Sequence, residues 1–121
     1  MPDLSVSKFT TENKRVTSTS ADGSADVVYT VPDNYSAIVR FLHLSNGTAS
    51  TKKANIQIYH NDDTSYQTLV NGLSMAANTT HNVVSGNFFT LHQKDMIVSY
   101  IESGMTLDVT ISVEEYFDPA R

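Results

Sequence analysis

The sequence predicts an all-β fold: a single antiparallel β-sandwich, jelly-roll-like or immunoglobulin-like, of about eight or nine strands with an extended N-terminal arm. The clearest indication is residues 106–114, where Leu107, Val109, Ile111 and Val113 alternate with polar residues. Turn residues recur about every eight to twelve positions, and no convincing helical pattern persists over two turns. Because successive side chains of a strand point to opposite faces, the alternation predicts one buried and one hydrated sheet face.

Residues 1–24 are predicted to form the N-terminal arm, and residues 25–121 the sandwich domain. The first segment has few large apolar residues among many hydroxyl-bearing and charged ones, and it ends in the turn-rich sequence Ala21-Asp22-Gly23-Ser24. Its apolar residues are Leu4, Val6, Phe9 and Val16. We expect it to lie outside the core, either as an arm that reaches a neighbouring subunit or as a strand paired at the sheet edge.

The strongest apolar stretch, residues 36–45, predicts a central strand that is covered on both faces. Strict alternation puts Ile38, Leu42 and Leu44 on one face, and Ala37, Val39 and Phe41 on the other. Arg40 interrupts the first of these faces and His43 interrupts the second. Asn46-Gly47 ends the strand.

The other strands are bounded by turn residues. Residues 65–73 are ambiguous because their apolar side chains have helical spacing, but Asn71-Gly72 disfavours a stable helix. We therefore predict a strand over residues 65–70 and a loop over residues 72–78. Further strands are predicted over residues 27–31, 53–60, 79–84, 88–91 and 96–101.

The composition limits the classes of partner. A chain of 121 residues suits one domain, and the absence of cysteine excludes disulfides and thiolate metal sites. The net charge is −5 and the basic residues are scattered, so nucleic-acid binding is not expected. The chain shows neither a signal-peptide pattern nor an apolar run long enough to cross a bilayer. We expect a soluble protein that is made in the cytoplasm and binds no membrane.

No motif points to catalysis, so the chain is predicted not to be an enzyme and to bind no metal or cofactor. Its four histidines lack the spacing that would place two imidazoles on one face. The adjacent Glu114 and Glu115 point to opposite sheet faces and cannot act as an acid–base pair. The serines form no G-x-S-x-G elbow.

From Val28 onward, four sequence segments define the layout of strands and turns. They are Tyr29-Thr30-Val31-Pro32, residues 36–46, Leu91-His92-Gln93-Lys94-Asp95-Met96-Ile97 and residues 107–114. This layout resembles small β-sandwich proteins of tailed-phage virions, although Lys94-Asp95 stands where related sequences often have Gly-Asp. The resemblance implies a non-enzymatic virion component. Two placements fit: a capsid decoration (cement) protein, usually a homotrimer that contacts the major capsid protein, or a tail, tail-fibre or adaptor protein.

Five residues are predicted to contact other subunits: Leu4, Val6 and Phe9 of the arm, and Tyr116 and Phe117 after the last strand. The two terminal rings could instead close the end of the sandwich. A competing hypothesis is a carbohydrate-binding module in which an exposed Tyr59 or Tyr66 stacks on a sugar. The chain has no tryptophan, the side chain with the largest flat area for such stacking.

Overall fold

The computed structural model describes the backbone of residues 3–119 and the side chains of residues 8–119. Eight strands form two four-stranded antiparallel sheets, which confirms the predicted β-sandwich. Sheet A has the order β1-β8-β3-β6, and sheet B has the order β2-β7-β4-β5. The strands are β1 (Asp3–Val16), β2 (Asp26–Thr30), β3 (Tyr35–Asn46), β4 (Lys52–His60), β5 (Ser65–Met75), β6 (Thr80–Leu91), β7 (Met96–Ile101) and β8 (Leu107–Phe117).

The pairing pattern is that of one long ribbon rolled up on itself. β1 pairs with β8, β2 with β7, β3 with β6 and β4 with β5, so each strand of the first half meets its counterpart in the second half. Two further pairings, β3 with β8 and β4 with β7, join these pairs into the two sheets. The core therefore depends on residues that are far apart in sequence.

The inner faces of the two sheets form a continuous apolar core. β8 supplies it as its alternation predicts: all four aliphatic side chains of residues 107–113 are fully buried. Ile56 and Ile97 face them from sheet B. Burial of branched aliphatic side chains of this size contributes roughly 1.5–3 kcal/mol each to stability.

β3 does not follow the predicted alternation, because it contains a bulge. Val39 is registered with Val113 of β8, whereas Phe41 is registered with the next residue along, Ser112, so Arg40 is an extra residue. An inserted residue shifts every later side chain to the opposite face. The buried residues are consequently Ala37 and Val39 before the bulge, and Leu42 and Leu44 after it. The predicted two-face assignment of residues 37–44 is therefore wrong.

β5 and β6 are longer than predicted, and two glycines explain why. β5 continues through Gly72 to Met75, where a loop was predicted, and β6 joins the two strands predicted over residues 79–84 and 88–91. Gly72 and Gly86 have φ angles of 64° and 82°. A glycine adopts such angles without steric cost, so each strand passes through an irregular position and does not end there.

The N-terminal residues are paired within the domain. β1 runs antiparallel to β8 from Lys8–Glu115 to Val16–Leu107, as an edge strand of sheet A. Val16 is buried in the core, so the expectation that this segment contributes nothing to the core is wrong for that residue. The division of the chain at residue 24, and any exchange of β1 between subunits, remain predictions. Within residues 3–119, no helix is long and apolar enough to cross a membrane.

Candidate interaction surface

The outer face of sheet B is covered by the chain's own β1–β2 connection, residues 17–25, which we call the covering segment. The backbone N–H of Asp22 donates to Gln57 Oε1, and Gln57 Nε2 donates back to Asp22 Oδ1, both at 2.9 Å. Val98 of β7 lies next to Gln57 on this outer side and is only 1% exposed. Sheet B therefore has cover on both of its faces where the segment crosses it.

Asp26 anchors the start of the covering segment. Its Oδ2 accepts hydrogen bonds from the backbone N–H groups of Thr17 at 2.6 Å and Ser18 at 3.0 Å. The hydrogen bond from Thr17 is the main cause that lowers the pKa of Asp26 below its ordinary value, since it stabilises the charged carboxylate. At the other end of the segment, Ala25 N–H donates to the carbonyl of Asp22.

The outer face of sheet A carries no such cover from the described chain, and we call it the open face. Its polar end consists of side-chain pairs between β1 and β8. They are Thr11 with Ser112 (3.0 Å), Asn13 with Thr110 (2.8 Å) and Arg15 with Asp108 (two bonds, 2.8 and 3.0 Å). The bidentate bond from Arg15 lowers the pKa of Asp108. These pairs show that β1 presents Thr11, Asn13 and Arg15 on the open face.

The aromatic end of the open face is built around an ion pair. Arg40 donates to Glu114 Oε1 at 3.1 Å, and its guanidinium lies 5.2 Å from the ring centroid of Phe88. Phe9 is registered with Glu114 from the other side. Phe9 and Phe88 are 71% and 59% exposed, the highest values among large apolar side chains of residues 8–119. Two exposed rings beside a shared ion pair are unusual for a free surface and typical of an interface.

A second aromatic contact lies on β3, towards the middle of the open face. The rings of Phe41 and His43 are stacked, with centroids 5.6 Å apart and an interplanar angle of 9°. His43 Nδ1 is 2.6 Å from Asn82 Oδ1. Because an amide oxygen can only accept, Nδ1 is the donor in this bond. Together, the stacking on Phe41 and the bond to Asn82 fix the position of the imidazole between β3 and β6.

The predicted contact residues fall into three groups. Phe9 lies on the open face, and Tyr116 is registered with Ser36 on the same outer side of β8. Phe117 packs edge-on against Tyr35, with centroids 5.6 Å apart, at the end of the sandwich. The side chains of Leu4 and Val6 lie outside the described residues. The subunit-contact role of all five remains a prediction.

Sequence reasoning missed Phe88 and Phe41 as surface residues, and it did not place Arg40 beside Phe88. The pair Phe88-Phe89 contained a usable signal, because adjacent residues of one strand point to opposite faces. Phe89 packs against the core and Phe88 is exposed. Arg40 has no such signal, since its position depends on the bulge.

Two polar sites lie away from the open face. A hollow of about 100 Å³ at one end of the sandwich is lined by Asn61, Asp62, His92, Gln93 and Asp95. Asp95 is buried, and its two carboxylate oxygens accept the backbone N–H groups of Asn61 (2.9 Å) and His92 (3.0 Å). The carboxylate thus holds two turns together. Among the described residues, no group of three or more His, Cys, Asp or Glu side chains could hold a metal ion.

The second site is a buried carboxylate under β1. The Tyr29 hydroxyl donates to Glu115, and Lys8 Nζ lies 3.6 Å from the same carboxyl group. Burial, together with the nearby carboxylate, raises the pKa of Tyr29 far above its ordinary value, so Tyr29 remains a hydrogen-bond donor. These contacts link β1 and β2 at the edge of the sandwich and account for the buried charge.

The tyrosines proposed for sugar stacking face each other. The ring centroids of Tyr59 and Tyr66 are 4.9 Å apart with planes tilted by 50°, and both residues are partly buried. The covering segment runs beside the Tyr66 hydroxyl at Gly23. This pair therefore offers less flat, exposed ring area than the open face does.

No family model and no curated protein matches the sequence. Among solved structures, a chain of the acidic stable capsid structure of Helicobacter pylori bacteriophage KHP30 is similar, with a TM-score of 0.51 and 16% identity over 98% of this chain and 93% of that chain. A chain from the structure of Bacillus endospore appendages, which form disulfide-linked pili, has a TM-score of 0.47 and 14% identity over 93% and 88%. At 16% identity the likeness to the capsid chain is one of fold.

Proposed function

We propose that this protein is a non-enzymatic structural protein of a tailed-phage virion, and specifically a capsid decoration (cement) protein that stabilises the head through contacts between subunits. Its partners would be the major capsid protein and copies of itself. The observation that carries the proposal is the open face. A sandwich that covers one sheet with its own chain and leaves two phenylalanines exposed on the other is suited to burying that second sheet against protein.

The fold supports the same proposal. A ribbon rolled up so that its first strand pairs with its eighth, and its second with its seventh, is the arrangement of eight-stranded jelly rolls, which occur in viral capsid proteins. The fold likeness to a chain of a phage capsid structure covers nearly the whole of both chains. Lectins also use jelly rolls. The mutual packing of Tyr59 and Tyr66, however, favours protein contact over sugar binding.

The proposal is tested on phage particles. Particles of the phage that encodes this chain are compared with particles from a derivative carrying an early stop codon in the gene. We expect the protein in wild-type heads, at a copy number comparable with that of the major capsid protein. Heads without it should release their DNA at a lower temperature, and adding back the purified protein should restore the wild-type temperature.

Cryo-electron microscopy of the same two preparations distinguishes the alternatives. Difference density on the outside of the head is expected for a decoration protein. Density confined to the tail, a fibre or the neck would replace the decoration role with a tail or adaptor role. Complete absence of the protein from purified particles would contradict a virion function altogether.

A further inference from the structure

We infer that the open face is a self-association surface, on which a second copy of this chain binds with its own open face. The inference gives a partner to the surface on which the proposed function rests, and it can be tested without phage particles. Three properties of the face carry it: its charge, its size and the distribution of its apolar groups.

The charge of the open face differs from that of the rest of the molecule. Among the described side chains it presents two of the eight basic residues, Arg15 and Arg40, and two of the thirteen acidic ones, Asp108 and Glu114. The described part of the face is therefore neutral, and the excess of acidic over basic side chains lies on the rest of the described surface. β6 contributes no Asp, Glu, Lys or Arg. Two copies that meet through this face bring together neutral surfaces and keep their acidic surfaces apart.

Both ion pairs are also satisfied within one copy. Arg15 pairs with Asp108, and Arg40 pairs with Glu114, within the same sheet face. Burial against a partner would leave no charge without its counter-ion, which is the main energetic obstacle to burying a charged surface. A partner does not have to supply a complementary charge, so an identical face is a suitable partner.

The area matches the requirement of a small stable dimer. Four strands spaced about 4.8 Å apart, with about nine registered residues each, present a face of roughly 600 Å². Two such faces bury roughly 1,200 Å² together, which is the lower limit of a specific protein–protein interface. The outer face of sheet B cannot provide the same area, because the covering segment lies across it. A surface that binds an identical surface has two-fold symmetry, so dimers or even-numbered assemblies are expected.

The test is the association state of the full chain. Sedimentation velocity and mass photometry are run over a series of micromolar concentrations on the wild type and on the double variant Phe9→Ser/Phe88→Ser. The matched control, Val27→Ser/Leu69→Ser, removes two exposed apolar side chains from the other sheet. We expect wild-type and control species of twice 13.3 kDa. The phenylalanine variant should dissociate at least about tenfold more readily, because a few large aromatic side chains supply most of the binding energy of such interfaces.

A second measurement covers the case in which the double variant loses its fold. The chain has no cysteine, so a single introduced cysteine carries a spin label at one known position. Label at Ser85→Cys on the open face should show dipolar coupling between copies, and label at Thr68→Cys on sheet B should show none. A monomeric wild type, equal association of all variants, a trimer insensitive to the substitutions, or coupling only at residue 68 would each overturn the inference.

The proposed virion function and the proposed self-association surface can be contradicted independently of each other. A chain that dimerises through the open face but is absent from particles retains the self-association surface and loses the virion function. A chain that is found on heads but is monomeric in solution retains the virion function, and its open face then binds another capsid component.

Discussion

The outer faces of the two sheets have similar sequence patterns but differ in solvent exposure. Both alternate outward-facing polar residues with buried aliphatic ones, yet Gln57 and Asn55 on sheet B are almost fully buried while Thr11 and Asn13 on sheet A are exposed. Gln57 is bonded to Asp22 of the covering segment, which crosses sheet B and not sheet A, whereas Asn55 is bonded to the backbone of Gly72 and Tyr100 within sheet B. The difference teaches that strand alternation predicts which side faces away from the core, but not whether that side meets water, the same chain or another chain.

The largest expected effect comes from placing a charge on the covered face. Val98→Asp would bury a carboxylate that has no counter-ion under the covering segment, and we expect the free energy of unfolding to fall by about 3 kcal/mol or more. Ser85→Asp, the same kind of change on the open face, should cost less than about 0.5 kcal/mol when both proteins are compared at concentrations at which they are monomeric. Urea unfolding of both variants measures the contrast. Similar losses would mean that the two faces are equally exposed in solution.

A smaller effect is expected from releasing the covering segment. Gln57→Ala removes both hydrogen bonds to Asp22 and should lower the free energy of unfolding by about 1–2 kcal/mol. Amide hydrogen exchange over residues 18–24 should become faster. The control is Gln67→Ala, an exposed glutamine bonded to His60, for which we expect less than about 0.5 kcal/mol. Unchanged exchange in the Gln57 variant would show that other contacts hold the segment.

The smallest effect is a difference in acid sensitivity between the two faces. The folded-state pKa values of Asp26 and Asp108 are both lowered, so each carboxylate stabilises the fold above the unfolded pKa of about 4, and this stability is lost as the pH falls through the folded pKa. Between about pH 5 and pH 2, Asp26→Asn and Asp108→Asn should each lose less stability than the wild type.

The salt dependence of stability distinguishes the contribution of Asp108 from that of Asp26. The Arg15–Asp108 pair is exposed and should be weakened at about 1 M NaCl, whereas the backbone hydrogen bonds to Asp26 should be less affected. Thermal unfolding at low and high salt across this pH range provides the measurement. Equal salt sensitivity of the two variants would contradict the distinction between an exposed ion pair and an anchored carboxylate.

Part of the fold and of the surface was predictable from local pattern. β8 follows a strict period of two, and its four aliphatic residues are buried as predicted because nothing interrupts the alternation. β3 was assigned to the wrong faces because its bulge at Arg40 depends on how β6 and β8 pair with it. Phe9 is exposed, and its predicted subunit-contact role stays a prediction; that Arg40, Phe41 and Phe88 share its sheet face was not predicted.

The sequence by itself determined that this protein is a cysteine-free β-sandwich in which each strand directs one set of side chains towards the core and the other away from it, because side-chain alternation and turn residues act over a few positions. Only the tertiary structure decided that residues 17–25 cover sheet B, and that Arg40 and Glu114 pair between Phe88, which lies under the guanidinium, and Phe9, which is registered with Glu114. These arrangements join residues tens of positions apart, through registers that no local pattern specifies. The open face is therefore a product of topology, and the surface through which we propose that the protein works could be located only after the strands were paired.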